Sequence, residues 1–143
     1  MTMPEQPSQP SQPGQPAQPG QPPVGWIDLT IQGSHLTSNM IVPTVLLNGH
    51  QMPTQYGRNV FPVPPGAWKV DMYTQWTWKF GKASLSFDVA EGQTVPVFYA
   101  APLTGFNKGA IGHEKQRRQG VLGLVLVLAI AALVVAGIVA LTM

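Results

Sequence analysis

The side chains able to carry chemistry are few, and their spacing does not assemble them. Histidines stand at positions 35, 50 and 113. An imidazole acts as metal ligand or general base when a second donor or an orienting carboxylate recurs at a fixed spacing. His35, His50 and His113 lack such a companion, and the chain contains no cysteine, which removes thiolate nucleophiles, thiolate metal sites and disulfides together. Asp28, Asp71 and Asp88 fall on the polar parity of alternating segments, where a solvated surface charge is the default. The spacings GxSxG and HExxH are absent. The glycine-rich stretch Gly105–Gly112 follows no strand–helix pattern and has no Walker lysine–serine pair. The expectation is a protein that is not an enzyme, with no catalytic, cofactor-binding or metal-binding residues and no small-molecule substrate.

Two groupings remain. The first is aromatic: Trp68, Trp76, Trp78 and Phe80 share one parity of an alternating run. Alternating aromatics of this kind are expected in a sheet core, but Trp76-x-Trp78 also suits a contact patch for another protein, because three indoles overfill one face of a small domain. The second is the run Val121–Met143, in which Thr142 is the only residue neither apolar nor glycine. Crossing a bilayer takes about 20 apolar residues, so this run predicts a transmembrane helix. It holds no ionisable group with which to relay protons or bind ions. Ala132, Ala136 and Ala140 recur at four-residue spacing with Gly137 alongside, a candidate face for close packing on another helix.

The elements that would position these residues follow from composition. Net charge is +2, but Lys108, Lys115, Arg117 and Arg118 against Glu114 concentrate a surplus just before the apolar run. Between Gly25 and Gly105 four basic residues balance four acidic ones, so there is no basic face suited to nucleic acid. Lys115, Arg117 and Arg118 are candidate membrane-surface cations, and by the positive-inside tendency they place the preceding chain in the cytoplasm. The N-terminal residues MTMPEQPSQP do not read as a signal peptide. The expected layout is a tail-anchored, single-pass protein of the plasma membrane.

Residues Gln6–Pro23 repeat as QPS, QPS, QPG, QPA, QPG and QPP. Proline at every third position excludes helix and sheet and suits polyproline II. This arm reads either as a solubilising extension or as a ligand for a proline-binding groove. From Trp26 the period becomes two: Ile27, Leu29 and Ile31 alternate with Asp28, Thr30 and Gln32. Asn48-Gly49 predicts a type I′ hairpin pairing Val45–Leu47 with His50–Met52. Pro64-Pro65-Gly66, Gly81-Lys82 and Glu91-Gly92 supply further turns, and Pro96 puts its strand at an edge. The prediction is a mainly β chain: a disordered Pro/Gln-rich arm over 1–24, a small antiparallel β-sandwich of about seven strands over 25–103, a pliable basic linker over 104–120 and a transmembrane helix over 121–143.

Taken together, Asn48-Gly49, the stretch Pro62-Val63-Pro64-Pro65-Gly66-Ala67-Trp68-Lys69-Val70 and the stretch from Glu91 to Pro102 resemble a small β-domain of membrane-tethered actinobacterial proteins. The layout is similar to that of a small accessory subunit of the actinobacterial cytochrome bcc–aa3 respiratory supercomplex. The resemblance implies a subunit without haem or copper ligands of its own, packed by its span against integral membrane subunits of the oxidase. It carries no functional residues across. Two other readings stand beside it: a free-standing anchored module that recruits a cytosolic partner, and a sugar- or lipid-binding domain using Trp76 and Trp78.

Overall fold

A computed structural model describes residues 20–38 and 40–142. Residues 6–19 of the Pro/Gln repeat, and Met143 at the end of the apolar run, lie outside the described residues. The elements in chain order are β1 (Gly25–Gln32), β2 (Thr44–Leu47), β3 (His50–Met52), β4 (Gly57–Val63), β5 (Gly66–Gln75), β6 (Lys79–Val89), β7 (Thr94–Ala100), β8 (Ala110–Gly112) and α1 (Val121–Thr142). The strands form two four-stranded sheets, ordered β4-β1-β7-β8 and β3-β2-β5-β6.

Side-chain alternation builds the core from both sheets. Ile27, Leu29 and Ile31 of β1, Phe61 and Val63 of β4, and Val95, Val97 and Tyr99 of β7 bury the inner face of the first sheet. Val45 and Leu47 of β2, Val70 and Met72 of β5, and Val89 of β6 bury that of the second, in the same cluster. Each such side chain removed from water contributes about 1.5–3 kcal/mol before the entropy of ordering it is subtracted. The partnered positions between them, such as Asp28, Asp71 and Ser84, face outward. Arg58 clamps Asp28 with Nε at 2.9 Å and Nη2 at 2.8 Å, and Asp71 accepts from Ser84 directly opposite.

The Asn48-Gly49 hairpin forms as expected, with φ of 47° and 83° and Val45 opposite Met52. Three other expectations need correction. The pairing is not wholly antiparallel, because β1 and β7 run parallel from Trp26↔Thr94 to Gln32↔Ala100. No hairpin joins these two strands, so nothing in local turn chemistry dictated their sense. Gly81-Lys82 is not a turn but a bulge inside β6: Met72 faces Ala83 while Thr74 faces Phe80, and Gly81 takes φ +64°. The turn lies earlier, at Trp76-Thr77-Trp78, between the pair Gln75↔Lys79. Finally, the segment 104–120 is not a loose connector. It supplies β8, which adds to β7 through Phe98↔Gly112 and Ala100↔Ala110. Pro96 stands just beyond the reach of β8, where the strand is a local edge, and its carbonyl accepts a bond from His113 Nδ1 at 2.9 Å.

Strand directions gather certain loops at one end. β1 and β7 both finish there, β4 starts there, and the β5–β6 hairpin turns there. Two bonds hold the sheets together at that end: Tyr99 Oη donates to Gly81 O at 2.6 Å, and Gly109 N–H donates to Lys82 O at 3.3 Å. The opposite end carries the turns at Asn48-Gly49, Pro64-Pro65 and Ala90–Gln93.

Candidate functional site

The residues that precede α1 are fastened to this first end of the β-domain. Gln32, the last residue of β1, makes a reciprocal pair with Gln116: its Nε2 donates to Gln116 O at 3.0 Å and its Oε1 accepts from Gln116 N–H at 2.7 Å. Arg118 turns inward, donating from Nη1 to Thr37 O at 2.6 Å and from Nε to Ala101 O at 3.4 Å. Its positive charge therefore serves the two carbonyls first, whereas Lys115 and Arg117 are exposed. Leu103 N–H donates to Gln119 O at 3.1 Å, and Gly120 lies against Leu103 and Asn107. The helix begins at the next residue.

Trp76 and Trp78 sit on the hairpin tip beside this root. Neither belongs to the core: Trp76 is 74 % exposed and Trp78 52 %. The core expectation failed because the run of constant parity does not stay in one strand. The chain reverses between Gln75 and Lys79, with Trp76 N–H donating to Trp78 O at 3.2 Å, so the two indoles project from a loop. Trp68, on the same parity but within β5, is packed against the core and donates its Nε1 to Pro64 O at 2.9 Å. Trp78 reaches the segment after β7, donating Nε1 to Gly105 O at 3.4 Å and stacking on Phe106 at 6.3 Å between centroids.

Sequence reasoning missed several members of this surface. Phe106 is 91 % exposed and Leu36 98 %, with Met40, Ile41 and Leu103 also uncovered. Leu36 and Phe106 are lone apolar residues among polar or glycine neighbours, so no periodicity marks them. Met40 and Ile41 open a β-branched run that looks like strand, yet the strand begins only at Thr44.

Two of the three histidines make structural contacts, and His50 is exposed beside its hairpin turn. His35 Nδ1 donates to Met40 O at 3.1 Å, with its ring edge-on to Tyr56, and His113 packs edge-on to Phe87. Among the described residues no three His, Asp or Glu side chains come together as metal ligands would. The shallow hollow over Pro53–Phe61 is lined in part by Asn59, whose amide is spent on its own chain: Oδ1 accepts from Gln55 N–H at 2.9 Å and Nδ2 donates to Gln55 O at 2.8 Å and Gly57 O at 3.1 Å.

α1 is long and apolar enough to cross a membrane, and none of its residues is buried. Twenty-two residues at ~1.5 Å rise reach about 33 Å, the thickness of a hydrocarbon core. Ala132, Ala136 and Ala140 form one uncovered row, and a Cβ added at Gly137 would meet open space. A helix apolar on every face has no stable place in water. No family model matches the chain, and no curated protein matches it.

Proposed function

We propose that this chain is a non-catalytic, single-pass accessory subunit of a larger membrane complex, best assigned to the actinobacterial cytochrome bcc–aa3 respiratory supercomplex. Its two sheets are the layers of a β-sandwich that stands on the cytoplasmic side of the plasma membrane together with the Pro/Gln-rich arm. The observation that carries the reading is α1, uncovered and apolar on all sides, directly continuous with a well-packed β-domain. The exposed cations Lys115 and Arg117, within a few residues of Val121, support this orientation. The row Ala132, Ala136 and Ala140 with Gly137 is the helix face that packs on an integral partner. The role is structural, covering and stabilising a surface of the complex rather than performing chemistry.

Purification from mild detergent through a tag on the N-terminal arm tests this. Co-purifying haem absorbance is the expected result, lost when Ala132, Ala136 and Ala140 are all replaced by Leu while the chain stays in the membrane. A solitary band from native membranes overturns the subunit reading and leaves an anchored recruitment module. Protection of the β-domain from protease in inverted vesicles overturns the orientation.

A further inference from the structure

All the large apolar side chains left exposed on the β-domain among the described residues lie on loops at the end that bears α1. Leu36 and Met40 belong to the loop after β1, Trp76 and Trp78 to the β5–β6 hairpin tip, and Leu103 and Phe106 to the loop after β7. The opposite end presents Asn48-Gly49, Pro64-Pro65 and the turn after Asp88 with Glu91, and among the described residues exposes no large apolar side chain. An accidental scatter of surface hydrophobes would not respect the strand direction in this way.

We propose that this end of the domain is a membrane-seating face, with the Trp76–Trp78 tip and Phe106 embedded in the headgroup zone of the leaflet that α1 enters. The proposal rests on α1 spanning the bilayer. Continuity fixes the occupant: Leu103 N–H is bonded to Gln119 O and Gly120 lies against Leu103, so the loop bearing Phe106 is tied to the residue before the first turn of α1. A bilayer that receives α1 must pass next to that loop. The side-chain types agree, since indole rings prefer the interface, where the apolar ring is shielded and the N–H finds polar partners. Charge agrees as well. Exposed Lys79 at the base of the tip, Lys108, Lys115 and Arg117 outnumber the exposed Glu114 around this end, while Asp88 and Glu91 lie toward the other, a surplus that suits an anionic lipid surface. The tip is braced from the side, because Trp78 is bonded to Gly105 and stacked on Phe106, so the two loops present one surface.

The test uses the full chain in phosphatidylcholine vesicles containing phosphatidylglycerol. The fluorescence lost on replacing Trp76 and Trp78 together by Phe reports the exposed pair and leaves buried Trp26 and half-buried Trp68 in place. That difference signal should be quenched more by spin labels near the top of the acyl chains than by deep ones, and should lose its quenching by aqueous iodide. Resistance of the chain to carbonate extraction, measured in the same vesicles, checks α1 separately. Extraction by carbonate means that the spanning reading has failed. Retention of α1 with the pair still open to iodide overturns the seating face alone. Shielding in native membranes but not in protein-free vesicles also overturns it, and assigns the aromatics to a protein surface.

Discussion

The hydroxyl of Tyr99, the buried aromatic of β7, donates to the carbonyl of Gly81, the bulged residue of β6, at 2.6 Å. With the bond from Gly109 N–H to Lys82 O, it joins the two sheets at the end where α1 departs. Burial pushes the Tyr99 phenol up from 10.0 to about 12. A phenol whose folded pKa is raised adds stability that is complete below the unfolded value, near pH 10, and is lost as pH rises through 12. Absorbance titration of tyrosinate should therefore show a late fraction that disappears in Tyr99→Phe. At neutral pH the same substitution leaves the Gly81 carbonyl without its buried donor and should cost ~1–3 kcal/mol in urea unfolding of the detergent-solubilised chain.

Gly109 crosses within contact of that pair. A Cβ there would stand 2.5 Å from Gly81 O and 2.5 Å from the Tyr99 ring. Since one neighbour is backbone and the other is buried, neither can give way cheaply. Gly109→Ala should destabilise the domain by about 1–3 kcal/mol, the usual cost of overpacking, whereas Gly49→Ala removes no space and is strained only through its φ of +83°. Unfolding midpoints of the two variants separate steric crowding from backbone strain.

The Gln32–Gln116 pair holds the segment before α1 against the sheet. Gln32→Ala removes both bonds, each worth about 0.5–1.5 kcal/mol net. The core is untouched, so global unfolding should move little while Lys115 and Arg117 become more open to trypsin. Limited proteolysis, timed against the wild type, reads the local opening directly. Equal cleavage rates would show that the bonds of Arg118 to Thr37 and Ala101 and of Leu103 to Gln119 hold the segment without the pair.

Legibility in the sequence followed the range of the forces involved. The apolar run, the β1 alternation and the Asn48-Gly49 turn depend on neighbours in the chain, and each was readable there. The parallel pairing of β1 with β7 depends on residues more than sixty positions apart and leaves no local mark. The hairpin at Trp76–Trp78 was obscured because a three-residue loop without glycine or proline preserved the alternating pattern, while Gly81 imitated a turn and formed a bulge. The inward turn of Arg118 could not be foreseen either. A cation beside a membrane run reads as a surface charge until the carbonyls of Thr37 and Ala101 are placed around it.

The bond from Leu103 N–H to Gln119 O closes the intervening chain into a stapled excursion whose two ends meet at the foot of the helix. Mechanically, this removes a long tether and leaves one residue, Gly120 at φ +95°, between the staple and the helix. If α1 spans a bilayer as proposed, its tilt or rotation is then delivered to the segment after β7 as torque, with little slack to absorb it. The β-domain would move with the helix as one lever, and any surface it covers would register how the helix leans.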